Sequence, residues 1–231
     1  MGEIIALYFL DIIALLWFLC SWFGYSIYAD YKSGRLDGNI YQIMHVYRLQ
    51  WMENSILRAD KVVDINAIAS FVRTGAFFAS TSILIVAFLL PLFGLSERAI
   101  AIISNIPMTY VNNQFWEIKT MVLVIIFIYA FFKYTWSIRQ YNYAIAMILA
   151  TDHVDKSKVR TKKNLVYIER NAKILSNAAR HFSMGIRAYY LGLVTLSWFL
   201  HPILFMLLTS SVIWIIYRRE FRSRALTIMS P

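Results

Sequence analysis

Cysteine and acidic residues are scarce in this chain, and their scarcity excludes several classes of protein. Cys20 is the only cysteine in 231 residues, so neither an intrachain disulfide nor a cysteine-based zinc or iron–sulfur site can form. Asp and Glu number 13 against 23 Lys and Arg, and only 16% of residues are charged while 59% are hydrophobic. Soluble domains carry about 25% charged residues. The composition therefore excludes an ordinary water-soluble globular protein.

Motifs of known catalytic machinery are also missing. The chain has no H-E-x-x-H, G-x-G-x-x-G, P-loop or G-x-S-x-G, and its four histidines, His45, His153, His181 and His201, fall in separate segments. The nearest approach to a metal cluster is Asp152-His153-Val154-Asp155, which a solvated loop produces equally well. We expect no enzymatic activity, no cofactor and no bound metal.

Four stretches are long and apolar enough to cross a hydrocarbon core, which takes about 20 residues. They are Ile4 to Tyr28, Ile68 to Leu95, Ile118 to Ser137 and Ala188 to Tyr217. The sequence contains no repeat and no strand pattern. It therefore predicts one all-α, polytopic membrane domain over residues 1–231, with membrane segments at about 4–28, 68–95, 118–137 and 188–217.

The basic residues favour one orientation in the membrane. Six Lys and Arg lie between Lys32 and Arg73 and ten between Arg139 and Arg187, whereas no basic residue precedes the first segment. Cytoplasmic loops carry the excess of Lys and Arg. We expect a multi-pass protein of the bacterial inner (cytoplasmic) membrane with its N-terminus outside, so that Arg58 and Lys163 share one side and Asn112 lies on the other.

The fourth segment conflicts with a simple four-span topology. As one helix it would be ~45 Å long, half again the bilayer core, and His201-Pro202 interrupts its middle. Either one tilted, kinked helix carries the basic tail outside, or two short arms fold back at the proline as a re-entrant hairpin. The charge rule and the proline both favour the hairpin.

Two segments outside the membrane stretches have a helical apolar pattern. One covers residues 39–66 and contains Trp51, and the other covers residues 152–187, where apolar residues recur at steps of three and four. We expect both to form a cytoplasmic helical layer that buries Leu165, Ile168, Leu175 and Phe182. Helices lying flat on anionic lipid are the alternative.

Several strings resemble one family of bacterial and plant membrane proteins. They are Arg73-Thr-Gly-Ala-Phe-Phe-Ala-Ser-Thr81, Trp136-Ser-Ile-Arg-Gln-Tyr-Asn142, Gly185-Ile-Arg-Ala-Tyr-Tyr190 and Tyr217-Arg-Arg-Glu-Phe-Arg-Ser-Arg224, together with Trp51-Met52, Arg58 and Asp64. The chain is similar in these strings to the domain of unknown function 599 family. The resemblance implies a polytopic membrane protein of about this size, and it transfers no catalytic or binding residue.

Ionisable residues inside membrane segments are candidates for function, because a charge in hydrocarbon costs several kcal/mol. Asp11 and His201 lie at similar estimated depths, ~10 Å and ~9 Å from the outer edge, so a contact between them is possible. An interfacial Asp11 is the alternative. Ser80 and Thr81, in a run of small residues that includes Gly75, either line a polar pathway or allow close helix packing.

Other polar residues flank the segments where lipid headgroups are expected. Candidates for headgroup binding or for a structural role are Arg73, Lys133, Arg139, Gln140, Asn142, Arg187, Arg218 and Arg219. We expect Gln140 and Asn142 to bond to Asp60 or Asp64 rather than to a ligand. Anionic lipid, not nucleic acid, is the simpler partner for Lys156 to Lys163, because this segment is tethered near the bilayer.

Three functions remain open at this point, and a membrane enzyme ranks last because the sequence has no catalytic constellation. An oligomeric channel or transporter-like protein would use polar groups at membrane depth. A non-catalytic accessory or scaffold subunit of a larger membrane complex would need only exposed apolar area, which 16 Phe, 15 Tyr and 7 Trp supply. The first requires a homo-oligomer, since four spans are few to enclose a path.

Overall fold

The computed structural model describes residues 2–35, 40–93, 113–155, 157, 159 and 161–229, and within them it is all-helical. The α-helices are α1 (Gly2–Arg35), α2 (Ile40–Ile56), α3 (Val62–Leu89), α4 (Asn113–Leu149), α5 (Lys162–Thr195), α6 (Pro202–Phe221) and α7 (Arg224–Met229). Short 3₁₀ helices follow α3 at Leu90–Phe93 and α5 at Leu196–Phe199. The predicted fold class is confirmed.

Four segments of these helices are long and apolar enough to cross a membrane: Phe9–Ala29, Val62–Phe93, Phe115–Leu149 and Pro202–Met229. Large apolar side chains project outward from them, among them Phe77, Phe88, Phe132 and Trp214, each at least 60% exposed. Such a surface suits lipid and is uncommon on soluble monomers. This is a membrane protein.

The predicted fourth segment is divided at its proline. The 3₁₀ turn ends α5, His201 adopts an extended conformation with φ −155° and ψ 134°, and Pro202 is the first residue of α6. Proline suits this position because its missing amide would have no partner there. Arg187 of α5 binds Glu220 of α6, so the chain does fold back on itself. The fold-back at the proline is confirmed, and the single kinked helix is wrong.

Two details of that prediction need correction. The first arm is not a separate membrane segment that starts at Ala188, because α5 runs unbroken for 34 residues from Lys162. A change in polarity does not interrupt a helix when no residue breaks its hydrogen bonding. The second arm is not short either: α6 has 20 residues, ~30 Å, enough to cross a bilayer.

The described chain forms two compact units. The first unit comprises residues 1–36, 82–130 and 186–223. Its interior is aromatic, since Phe205 stacks on Trp198 with 5.0 Å between ring centroids and lies 5.2 Å from Phe18. Gly192 allows a close approach, because a Cβ there would meet the Phe127 ring at 2.9 Å. Packing of large rings against a small residue holds α4 close to α5.

The second unit comprises residues 37–81, 131–185 and 224–231. Its core is mainly aliphatic, with Tyr141 also buried in it, and includes Met52, Ile56, Ile68, Ile148, Ile168 and Leu175. Gly75 and Gly185 allow close packing, because a Cβ on them would lie 3.0 Å from Ile138 and 2.7 Å from Tyr134. At Gly75 the structure therefore agrees with the packing explanation of the small residues.

The amphipathic helices are mostly as expected. Ile168 and Leu175 are buried in the core, Trp51 packs against it, and Phe182 contacts Tyr134 edge to face at 5.4 Å. Leu165, by contrast, is 49% exposed, which corrects its predicted burial: it lies in the first turn of α5, before the stripe meets the core. The predicted helical stretch 39–66 also divides, into α2 and the start of α3.

Candidate functional site

Asp11 of α1 is buried in the first unit, where it accepts a hydrogen bond and forms an ion pair. The Nε1 of Trp198 donates to Asp11 Oδ1 at 2.6 Å, and Lys119 Nζ of α4 lies 3.0 Å from the same oxygen. Both side chains of the ion pair are at most 7% exposed. Asp11 is therefore buried within the protein.

Lys119, which pairs with Asp11, also contacts the break between α5 and α6. Its Nζ donates to the carbonyl oxygen of Trp198 at 3.0 Å and lies 5.3 Å from the centre of the Trp198 ring. Trp198 belongs to the 3₁₀ turn, where main-chain carbonyls lose their α-helical partners. The ammonium thus satisfies one carbonyl of the break and one carboxylate of α1 at the same time.

The charges and hydrogen bonds of Asp11 and Lys119 are satisfied within the protein. An isolated buried charge is costly, whereas a buried pair is tolerated when its remaining hydrogen-bonding capacity is used. Here the carboxylate and the ammonium neutralise each other, and the Trp198 side chain and main chain supply one further partner to each. The cluster can bind or exchange a proton or a small ion only if one of these contacts opens.

A second buried ion pair lies in the same unit. Arg187 of α5 binds Glu220 of α6 through two parallel contacts of 2.8 Å, Nε to Oε1 and Nη2 to Oε2. Tyr25 of α1 donates its hydroxyl to Oε2 at 2.6 Å, and the guanidinium carbon lies 5.3 Å from the Tyr25 ring centre. This bidentate geometry fixes three helices and assigns Arg187 a structural role.

His201 does not contact Asp11, and the predicted pairing is wrong. Its Nδ1 instead accepts the Ile203 amide at 3.2 Å, which caps the start of α6. The first amides of a helix lack intrahelical partners, so the imidazole is used locally while Asp11 pairs with Lys119.

The two predicted hydroxyl residues of α3 have different surroundings. The Thr81 hydroxyl donates to the carbonyl of Phe77, within its own helix, and Ser80 is exposed.

The residues predicted at the headgroup level are distributed as follows. Arg139 is exposed beside Trp136, 5.6 Å from its ring centre, and donates to the hydroxyl of Tyr143. Arg219 donates to the hydroxyl of Tyr190 at 3.4 Å, and Arg218 lies 5.7 Å over the Trp214 ring. Arg73 is exposed and Lys133 is half-buried. Arginines beside aromatic rings are typical of an aromatic and basic girdle.

Gln140 and Asn142 do not bond to Asp60 or Asp64, which corrects that prediction. Asn142 is exposed, and the buried Oε1 of Gln140 accepts no hydrogen bond from the described residues.

The Asp64 carboxylate accepts hydrogen bonds from residues of α2 and of the turn that follows it. Trp51 Nε1 donates to it at 2.7 Å and Ser55 Oγ at 2.8 Å, and Arg58 forms the ion pair. Nearby donors within 13 residues thus satisfy the carboxylate that the sequence assigned to a more distant amide.

Lys119, Trp198, Tyr25 and Glu220 are the functional candidates that sequence reasoning missed. A signal for Lys119 exists: α4 begins at Asn113, so Lys119 lies ~9 Å along that helix, near the ~10 Å estimated for Asp11. Starting the segment at Ile118 concealed this match. The tertiary pairing of Glu220 with Arg187 has no comparable signal.

No group of three or more His, Cys, Asp or Glu side chains that could hold a metal ion occurs in the described part of the chain.

The chain resembles known proteins through one family. No curated protein and no solved structure matches the chain. Residues 13–225 match the family described as protein of unknown function, DUF599; this range contains Lys119, Arg187 and Glu220 and begins two residues after Asp11. The predicted resemblance is confirmed, and the chain belongs to the DUF599 family.

Proposed function

We propose that this protein is an oligomeric, transporter-like membrane protein in which the Asp11–Lys119 pair responds to the transported ion. The observation that carries the proposal is the buried pair itself, 3.0 Å between Nζ and Oδ1, held against the break between α5 and α6. Ionisable residues inside membrane segments are rare and mark ion or proton pathways.

The break strengthens the argument from the pair. Transporters form ion sites where discontinuous helices leave main-chain groups unpaired. In this chain the Trp198 carbonyl is such a group, and the Lys119 ammonium binds it. A proton or cation that competes with Lys119 for Asp11 would free the ammonium and loosen α1 from α4 at the break.

Oligomerisation is part of the proposal. The described part of the chain has four candidate spans, which are few to enclose a path, so a conducting path would lie between copies rather than through one. Ser80 is an exposed hydroxyl on α3 and is available for such a contact. The proposal includes no catalytic reaction and no cofactor.

The competing function is a non-catalytic accessory subunit. The observation that favours it is that Asp11 and Lys119 already have partners within the chain, so the pair also serves as a purely structural contact. An accessory subunit would conduct nothing alone and would purify with larger proteins.

Flux measurements in proteoliposomes test the two functions. The purified protein is reconstituted into liposomes loaded with a pH-sensitive dye, and fluxes of protons, K⁺, Na⁺ and Cl⁻ are followed under imposed gradients. We expect flux from the wild type that Asp11→Asn and the double variant Asp11→Asn/Lys119→Met abolish. The exposed Lys173→Ala serves as the matched control and should retain it.

Two outcomes contradict the proposal. The accessory subunit would be favoured if wild-type liposomes match empty ones for all four ions and the native protein, 27.0 kDa by itself, elutes together with other, larger proteins. Flux that persists unchanged in Asp11→Asn would show that the pair has no part in transport.

We also propose the inner-membrane orientation with the N-terminus outside, on the basis of the basic loops. Cys20 is exposed and must first be replaced by serine. Single cysteines at positions 58, 163 and 112 are then labelled from outside with a membrane-impermeant reagent. Labelling at 112 alone supports the orientation, and labelling at 58 and 163 overturns it. Asn112 lies outside the described residues.

A further inference from the structure

A cavity in the second unit has a lining unlike the apolar surface of the spans. It has a volume of about 760 Å³ and lies between the end of α4, the segment after it and the first turns of α5. Lys162, Lys163 and Arg170 line it together with Asp152 and Tyr167. We propose that this cavity, the Lys162 cavity, binds a phosphomonoester group.

Charge complementarity identifies the class of ligand. Three cations and one carboxylate line the cavity, which leaves a net charge of +2. A phosphomonoester carries about −1.5 to −2 at pH 7. No ion-pair partner for Lys162, Lys163 or Arg170 occurs among the residues that the structure describes, in contrast to Lys173 on the same helix, which binds Glu169 at 2.6 Å. The three cations are thus available to a ligand.

The cavity differs from a solvated basic face in its shape and its walls. Met147, Val154 and Val166 line it beside the cations, so it can hold an apolar or ring-shaped portion next to the phosphate. The Tyr167 hydroxyl donates to the Met147 carbonyl at 3.4 Å, which holds the ring in the wall. Binding sites for small organic ligands have this combination of apolar walls and a few placed charges.

A phosphomonoester could come from a lipid headgroup or from a soluble molecule, and the experiment separates the two. The full-length protein is placed in nanodiscs of phosphatidylcholine, and binding of inorganic phosphate and of adenosine monophosphate is measured by calorimetry. A second set of nanodiscs contains phosphatidic acid. Saturable binding of either soluble probe that phosphatidic acid leaves unchanged identifies a soluble source, and binding that phosphatidic acid suppresses identifies a headgroup; each supports the site.

Four variants test the site directly. Lys162→Ala, Lys163→Ala and Arg170→Ala remove exposed side chains, so folding should persist, and each should weaken binding about tenfold, the effect of losing one charge-assisted hydrogen bond. Asp152→Asn should strengthen binding, because it removes the repelling carboxylate. The matched control Lys173→Ala removes a cation of the same helix outside the cavity and should change affinity less than about twofold.

The proposal is overturned if neither soluble probe nor phosphatidic acid binds saturably in the millimolar range. It is equally overturned if Lys173→Ala weakens binding as much as Arg170→Ala, since a solvated basic face would then account for the effect. Circular dichroism of each variant confirms that the helices are retained.

Discussion

The two units differ in how they hold their charges. In the first unit, both partners of each described ion pair are largely shielded from solvent: the side chains of Lys119 and Asp11 are 6% and 7% exposed, and those of Arg187 and Glu220 are 8% and 12% exposed. In the second unit, each described pair includes an exposed partner. Arg58 is 43% exposed beside the buried Asp64, and Lys173 and Glu169 are both exposed.

The difference predicts different energetics for the two kinds of pair. Water and salt screen an exposed charge, so that an exposed pair contributes about 0–1 kcal/mol. Removing one partner of a buried pair leaves an uncompensated charge and costs about 3–5 kcal/mol. Substitutions in the first unit should therefore destabilise the protein strongly and independently of salt, and those in the second unit weakly and with a salt dependence.

The largest effect is expected at Arg187. Arg187→Ala removes both contacts to Glu220 and leaves its carboxylate buried, so the free energy of unfolding should fall by about 3–5 kcal/mol. Thermal unfolding in detergent, followed by circular dichroism, measures the loss. Arg219→Ala is the control, because Arg219 is exposed and makes one long contact to Tyr190; it should change stability by at most about 0.5 kcal/mol. Equal losses would contradict the comparison.

A double-mutant cycle at the Asp11–Lys119 pair should show strong coupling. Asp11→Asn leaves the ammonium of Lys119 buried without its counter-charge and should cost about 3 kcal/mol. The double variant Asp11→Asn/Lys119→Met removes both charges and should recover most of that loss, since an apolar replacement of a buried pair is often neutral. Additive losses in unfolding measurements would mean that the two charges do not stabilise each other.

The predicted helices show how far the sequence determines the fold. The apolar runs located α1, α3 and α4, because burial in lipid requires long apolar helices whatever their tertiary partners. Pro202 located the turn, because proline interrupts helical hydrogen bonding by itself. The continuity of α5 through Arg187 was missed, since the change in polarity there resembles a membrane boundary without being a structural one.

The candidate site was less predictable than the helices. Asp11 was identified from its position alone, because any carboxylate in an apolar run requires an explanation. Its partners were not, because which helices adjoin α1 depends on tertiary packing that periodicity does not encode. The same holds for Asp64 of α3, whose donors Trp51 and Ser55 lie in α2 and reach it only because the chain turns between the two helices, a turn that the predicted helical stretch 39–66 did not contain.

A smaller and salt-dependent effect is expected at Arg58. Arg58→Ala removes the charged partner of Asp64, but Trp51 and Ser55 continue to donate to the carboxylate. Because the guanidinium is 43% exposed, the loss should be only about 1 kcal/mol and should shrink at 1 M salt. Thermal unfolding at low and high salt measures both. A loss as large and as salt-independent as that of Arg187→Ala would erase the difference between the units.

The smallest expected effect is a dependence on pH through His45 of the second unit. Burial lowers the pKa of His45 below its usual 6.5, and the nearby Arg48 and Lys173 lower it further, while Glu169 raises it. The unfolded chain therefore takes up a proton near pH 6.5, whereas the folded protein does so only at lower pH. Stability should be full above pH 6.5 and should decline as pH falls from 6.5 to the lowered pKa.

Comparison of His45→Gln with the wild type tests this assignment. The variant cannot bind the proton, so its stability should decline less than that of the wild type between pH 6.5 and pH 5, as measured by thermal unfolding at constant salt. Ser176→Ala serves as the control: it removes the hydroxyl 2.9 Å from His45 Nδ1 but keeps the burial and the cationic neighbours, so most of the decline should persist. If His45→Gln declines as steeply as the wild type, another group controls the acid sensitivity of the second unit.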